Sequence, residues 1–271
     1  MISRSIRSVS HAQQSPRRGM LLASAALTCI CLAGVFACGA GEGYAAPEQL
    51  AQPPLGTVRL YRPPGAVRRI ALLISGDGGW GTGTDAIARD LAREDSLVAG
   101  IDGAQFLRGL EHGPGGCAAV AAPLAALAQD VTQRQHLPPA LPVILVGHSA
   151  GASLVYVALS QAPAGRFAGA LTLSFCTELD LRRPLCAAPA LKGVPVRNGF
   201  ELAPGGPLSA PWVAVHGLED RVCPAAAGED FARAVPGASF IGIPGVDHNY
   251  RERARWWPSF LSGYRQLAGH P

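Results

Sequence analysis

The chain has 271 residues, 48% of them hydrophobic and 15% charged. That apolar fraction excludes a disordered chain, and the length suits one or two domains with a large buried core. Lys plus Arg total 23 against 19 Asp plus Glu, for a net charge of +4 without any long basic run, which argues against a nucleic-acid binder.

Arg4, Arg7, Arg17 and Arg18 precede an apolar run from Met20 to Ala37, and small residues follow up to Ala45 and Ala46. Basic, apolar and small-residue regions in that order predict a secretory signal over residues 1–45. Arg17-Arg18 also suits a twin-arginine signal. An uncleaved anchor and a lipoprotein cleavage box at Val35-Phe36-Ala37-Cys38 are the alternatives. Without the four arginines and Glu42 of this segment, the charge falls from +4 to +1. Four of the seven cysteines remain: Cys117, Cys176, Cys186 and Cys223. An even number in an exported chain predicts two disulfides. Closeness in sequence favours Cys176 with Cys186, leaving Cys117 with Cys223. A metal site is not expected, because no Cys-x-x-Cys occurs and no histidine sits at ligand spacing. Lys192 is the single lysine of the sequence.

Residues 46–56 read as a Pro-rich leader. Beyond it, apolar runs alternate with amphipathic segments. Strands are predicted at Arg69 to Ser75, Leu97 to Ile101, Pro142 to Val146, Ala168 to Leu173, Trp212 to His216 and Phe240 to Ile243. Helices are predicted at Asp85 to Arg93, Ala118 to Gln133, Ala152 to Ser160 and Trp257 to Leu267. Short buried strands bounded by Gly and Pro and separated by helices predict an α/β domain over residues 57–271, its mostly parallel sheet covered on both faces. Residues 177–210, rich in Pro and Gly, read as an irregular, cap-like excursion.

Gly147-His148-Ser149-Ala150-Gly151 is a G-x-S-x-G sequence placed between a buried strand and a helix, the context in which that motif lifts a serine above a sheet edge. The backbone N–H of Ala150 then faces any developing oxyanion at a helix N-terminus. A serine alcohol needs a base, and the base an orienting acid. Asp220 and His248 follow the two succeeding strands in the chain order this geometry requires. Glu219 and Asp247 compete for the acid role: Glu219 is one residue off the favoured place, and Asp247 is too close to His248 to orient it. His148 sits in the turn itself, with its ring expected to point elsewhere. His112 and His136 read as surface residues. Ser75-Gly76-Asp77-Gly78-Gly79-Trp80 follows the first buried strand, and either Asp77 or Gly78 is expected to give the second oxyanion donor. A nucleotide loop is excluded by the missing Gly-Lys-Ser/Thr ending. Trp80 either lines the pocket or covers the sheet end. Arg251, Arg253 and Arg255 either hold an anionic group at the mouth of the site or form a solvated helix start, the second being favoured. Trp256 and Trp257 read as core anchors.

SGDGGW, the serine turn with SLVYVALSQAPAGRFAGAL, SFCTELDLRRPLC, HGLEDRVCP and PGVDHNY together resemble the VirJ/AcvB virulence-protein family over residues 57–268. This chain has one such module where AcvB-like proteins have two, and its serine segment is more similar to the first of them. The resemblance implies an α/β-hydrolase fold, export to the periplasm, and a serine hydrolase acting on aminoacylated phosphatidylglycerol, with links to virulence and to type IV secretion. By motif it assigns the nucleophile to Ser149, the acid to Asp220 and the base to His248. No cofactor and no nucleic acid are expected; an ester substrate, peripheral membrane contact and a secretion-system partner fit the resemblance. An esterase for a soluble or cell-wall ester, and a non-catalytic accessory protein on a hydrolase scaffold, are the rival readings.

Overall fold

The computed structural model describes residues 46–269, so the predicted signal, with its twin-arginine and lipoprotein alternatives, lies outside the described residues. In chain order the elements are β1 (Glu48–Gln52), β2 (Gly56–Tyr61), β3 (Arg69–Ile74), α1 (Thr82–Ala92), β4 (Ser96–Ile101), α2 (Gly103–Glu111), α3 (Ala121–Arg134), β5 (Val143–His148) and α4 (Ala150–Gln161). Then come β6 (Gly169–Leu173), β7 (Glu178–Leu179), β8 (Leu191–Val196), β9 (Gly199–Pro204), β10 (Trp212–Gly217), α5 (Ala225–Ala234), β11 (Ala238–Ile243) and α6 (Arg253–Leu267).

An eight-stranded sheet runs β1-β2-β4-β3-β5-β6-β10-β11. The six strands from β4 to β11 are parallel, and β2 and β1 add an antiparallel edge. Central strands such as RIALLI are buried along their whole length, because helices cover both faces. Successive side chains alternate between the two faces. Ile70, Leu72 and Ile74 pack with Leu124 of α3, Leu154 of α4 and Phe231 of α5, whereas Ala71 and Leu73 pack with Leu91 of α1 and Phe260 of α6. Each such large side chain contributes roughly 1.5 to 3 kcal/mol when buried.

Four expectations differ from this architecture. The leader contains β1, because its prolines, Pro47 and the Pro53-Pro54 pair, flank Glu48–Gln52 and leave it free to pair with β2. The excursion at 177–210 is not irregular; it carries a three-stranded antiparallel sheet of order β7-β9-β8, whose edge strand β8 exposes Lys192, Val194 and Val196. Helices α2 and α5 were not expected at all. The disulfides are Cys117–Cys186 and Cys176–Cys223, not the pairs that closeness in sequence favoured. After Cys176 the chain leaves along β7, and it returns so that Leu185 bridges Ala118, which brings Cys186 to Cys117.

Candidate active site

The turn between β5 and α4 holds Ser149 at φ 57° and ψ −128°, a left-handed conformation uncommon outside glycine. Close packing imposes the turn. A Cβ on Gly147 would lie 2.4 Å from the Gly151 carbonyl oxygen, and one on Gly151 would lie 2.4 Å from that of Ile74. Only glycine at both flanks lets α4 start this close to β3. Ser149 donates its N–H to the Leu173 carbonyl (3.0 Å), and its own carbonyl accepts from Ala152 and Ser153.

Asp220 and His248 lie in the loops after β10 and β11, so all three side chains meet beyond the C-terminal ends of parallel strands. His248 Nε2 is 3.1 Å from Ser149 Oγ, and His248 Nδ1 is 2.8 Å from Asp220 Oδ2. Since a carboxylate can only accept from this ring, Nδ1 carries the proton and Nε2 presents its lone pair to the serine hydroxyl. The second carboxylate oxygen, Oδ1, accepts from the N–H groups of Val222 and Cys223, each at 2.9 Å. Burial works against the charge on Asp220. Hydrogen bonds from His216, His248, Ser174 and the Cys223 N–H outweigh it and hold the carboxyl well below the usual carboxylate range. The two competing acids point away: Glu219 and Asp247 are exposed, and Asp247 accepts from the Asn249 N–H instead. Asp220, Cys223 and His248 place potential ligand atoms within 4.8 Å of one another, but the Cys223 sulfur is in a disulfide and the carboxylate and ring are bonded to each other.

A cleft of about 670 Å³ opens over Ser149. The glycine-rich loop after β3 and the first turn of α1 form one wall, and Asn249, Tyr250 and Arg251 form the other. A Cβ on Gly76 would come within 3.3 Å of the Ser149 Cβ, so this loop lies directly beside the serine. Its N–H groups are largely committed. That of Gly78 goes to the Asp77 carboxylate, that of Gly79 to the Gly76 carbonyl and that of Trp80 to the Asp102 carboxylate. The Asp77 N–H has no acceptor among the described residues. Ala150 is the first residue of α4, so its N–H has no carbonyl one turn back.

Trp80 does not line the cleft. Its indole lies over Gly100 of β4, where a Cβ would come within 2.2 Å of the ring, and it stacks with Tyr61. The missing side chain at Gly100 is what makes room for it on the sheet. Arg251 lines the cleft and is exposed. Arg253 also lines it but is paired with Asp90 and lies over the Trp257 ring, and Arg255 is paired with Glu252. Trp256 packs in the core and also borders the cleft.

His148 differs from expectation, since its ring turns into the site. Its centroid lies 5.2 Å from that of His248, and its Nε2 donates to the His248 carbonyl at 3.2 Å. Burial, followed by the neighbouring His248, lowers its pKa to about 4. Tyr250, at the end of the PGVDHNY segment, is a residue whose role the sequence alone does not show. Its hydroxyl accepts from Ser174 Oγ (3.0 Å) and from the Gly217 N–H (3.1 Å), tying the ends of β6 and β10 together beneath the cleft. Burial pushes its phenol up to about 12.

Residues 68–174 match the family described as bacterial virulence protein (VirJ). The match includes the glycine-rich loop and the serine turn and ends before Asp220 and His248. No curated protein matches the chain. Among solved structures, a puromycin-hydrolyzing peptidase of Mycobacterium tuberculosis is 18% identical with a TM-score of 0.57, covering 83% of this chain and 40% of that one. The chain thus spans less than half the length of that peptidase. Est1E from Butyrivibrio proteoclasticus is 14% identical with a TM-score of 0.56, covering 83% of this chain and 99% of that one. Thermogutta terrifontis esterase 2 phosphonylated by sarin is 15% identical with a TM-score of 0.56, covering 83% and 95% respectively. At such identities the likeness is one of fold, and the fold is that of the α/β-hydrolases. No helix among the described residues is long and apolar enough to cross a membrane.

Proposed function

We propose that this chain is a serine hydrolase of carboxylic esters. The observation that carries this reading is the hydrogen-bonded series Ser149, His248 and Asp220, the first two at the floor of an open cleft and the third buried behind them. Ser149 Oγ attacks the ester carbonyl while His248 Nε2 takes its proton. Asp220 keeps the imidazole in the required tautomer and faces the imidazolium that forms. The negative charge moves to the carbonyl oxygen, which the N–H groups of Ala150 and Asp77 receive. Asp77 is preferred to Gly78 because the Gly78 N–H is already bound to the Asp77 carboxylate. The tetrahedral adduct collapses as His248 returns the proton to the leaving alcohol. Water then repeats the sequence on the acyl-enzyme and frees Ser149.

The resemblance to the VirJ/AcvB family makes the aminoacyl ester of an aminoacylated phosphatidylglycerol the favoured substrate and the periplasm the favoured location. The two disulfides support an oxidising compartment. Arg251, exposed at the mouth of the cleft, is the residue suited to an anionic group of the substrate. Labelling with a fluorophosphonate tests the chemistry. The serine hydrolase reading requires that the folded wild type be labelled and Ser149→Ala not. Release of free lysine from lysyl-phosphatidylglycerol vesicles tests the substrate. Turnover of small soluble esters without lysine release would favour a soluble-ester hydrolase, and an unlabelled wild type would favour a scaffold.

A further inference from the structure

The acid of the site is held by a turn that is itself covalently tied to the serine side of the site. Cys223 donates its backbone N–H to Asp220 Oδ1 at 2.9 Å, and its carbonyl accepts from His216 Nε2 at 2.8 Å. The same residue forms a disulfide with Cys176, which lies just past the end of β6. The Cys176 Sγ is 4.0 Å from Ser149 Oγ, and the Cys176 carbonyl accepts from Ser153 Oγ at 2.7 Å, on the helix that begins beside the serine. A continuous path therefore runs from α4 through Ser153, Cys176 and Cys223 to the carboxylate of Asp220. Cys223 is 3% exposed and Asp220 5%.

We infer that the Cys176–Cys223 disulfide is a positioning element for Asp220, fixing where the acid presents Oδ2 to His248; the inference rests on the serine hydrolase reading above. Besides the side chains of His216, His248 and Ser174, the carboxylate has this turn as its only backbone support among the described residues. Its Oδ1 is bound only by the backbone of the turn that the disulfide anchors, and its Oδ2 faces the two histidine rings. A shift of Cys223 moves the N–H cradle, and the carboxylate moves with it. A displacement of about 1 Å in a positioned catalytic group can cost on the order of a hundredfold in rate. The second disulfide offers an internal comparison. Around Cys117–Cys186, the backbone of Cys186 bonds Ala118 and the Gln161 side chain, and no residue there touches the serine, acid or base.

The test compares Cys176→Ala/Cys223→Ala with Cys117→Ala/Cys186→Ala, each in the wild-type and the Asp220→Asn backgrounds, on a small soluble ester. We expect loss of the Cys176–Cys223 bond to lower kcat by about tenfold or more with KM within about twofold, and to lower it by less than about twofold once Asp220 is already Asn. The Cys117–Cys186 variant should keep kcat within about twofold at a temperature where it is folded. A disulfide that serves only stability would give undiminished kcat in the folded Cys176–Cys223 variant, or an equal loss in both backgrounds, and either result overturns the inference. If that variant does not fold, wild type is opened with a phosphine reductant and alkylated, and the opened bond is mapped by mass. Full turnover by folded protein open at Cys176–Cys223 likewise overturns it. Fluorophosphonate labelling of the wild type separates the two levels. Absence of label sinks the hydrolase reading and this inference together, whereas label with cysteine-independent kcat sinks this inference alone.

Discussion

The imidazole of His148 lies beside that of His248, ring centroids 5.2 Å apart, and donates from Nε2 to the His248 carbonyl. The proposed base is thereby held from behind by a neighbour of the proposed nucleophile. Holding that carbonyl needs one N–H, which the neutral ring supplies. Burial and the adjacent His248 bring the pKa of His148 from 6.5 to about 4, against the opposing pull of Asp220 and Asp77. The folded state therefore binds this proton less readily than the unfolded chain. The corresponding stability is complete above about pH 6.5 and is lost as the pH falls towards 4. Denaturant midpoints at pH 7 and pH 4.5 should show a loss of about 2 to 3 kcal/mol in wild type that His148→Gln does not share. A similar pH dependence in both proteins would assign the effect to other groups.

Asp220→Asn keeps the size of the side chain but replaces an acceptor with an amide that can present a donor to His248 Nδ1. That favours the tautomer with its proton on the wrong nitrogen. The expected result is a fall in kcat of roughly a thousandfold or more with KM little changed. Steady-state kinetics on a soluble ester would check it, and a fall in KM-linked binding alone would remove Asp220 from the chemistry.

Two glycines near the cleft should respond in opposite ways to the same change. In Gly151→Ala the new methyl meets the backbone oxygens of Ile74 and Ser75 at 2.4 and 2.5 Å, and neither can retreat without disturbing β3. Overpacking of this kind costs about 1 to 3 kcal/mol. In Gly83→Ala the methyl meets nothing within 4 Å, and the residue lies inside α1. Alanine should stabilise that helix by about 0.5 to 1 kcal/mol. Thermal unfolding of the pair distinguishes these signs directly.

Removing Cys117–Cys186, which closes a loop spanning a sequence separation of 69, should cost about 2 to 4 kcal/mol of stability. The loss should appear in the denaturant midpoint, with fluorophosphonate labelling of the folded fraction unchanged. Loss of labelling at full stability would contradict this division between the two disulfides.

Ser149 and Asp220, two of the residues proposed to carry the site, are readable because each follows a strand that is itself easy to read. RIALLI, VILV and WVAVH are apolar runs bounded by Gly or Pro, and buried parallel strands demand such runs. Less was legible where pairing is decided in three dimensions. Neither disulfide joins the cysteines closest in sequence, because β7 carries the chain away from Cys176 at once. Strand β1, EQLAQ, is half exposed on a sheet edge and has no apolar signature. Helix α2 carries a local start signal without a long apolar run. Asp102 caps it by accepting from the Gln105 N–H, a spacing visible in the sequence. The β8–β9 hairpin turns at Arg197-Asn198, with Gly199 opening β9 opposite Val196, so its Asn-Gly cue is one residue out of register with the turn. Trp80 could not be placed from its own neighbours, since its seat is a missing side chain at Gly100 on a different strand.

The exposed hairpin strand β8 has one further consequence. It bears Lys192, the single lysine of the sequence, and Lys192 is not among the residues that line the cleft. Amine-reactive fluorophores, crosslinkers or resin chemistries therefore meet one lysine side chain. Coupling through it, under conditions that spare the chain's α-amino group, would orient the molecules alike on a surface and leave the mouth of the cleft unmodified.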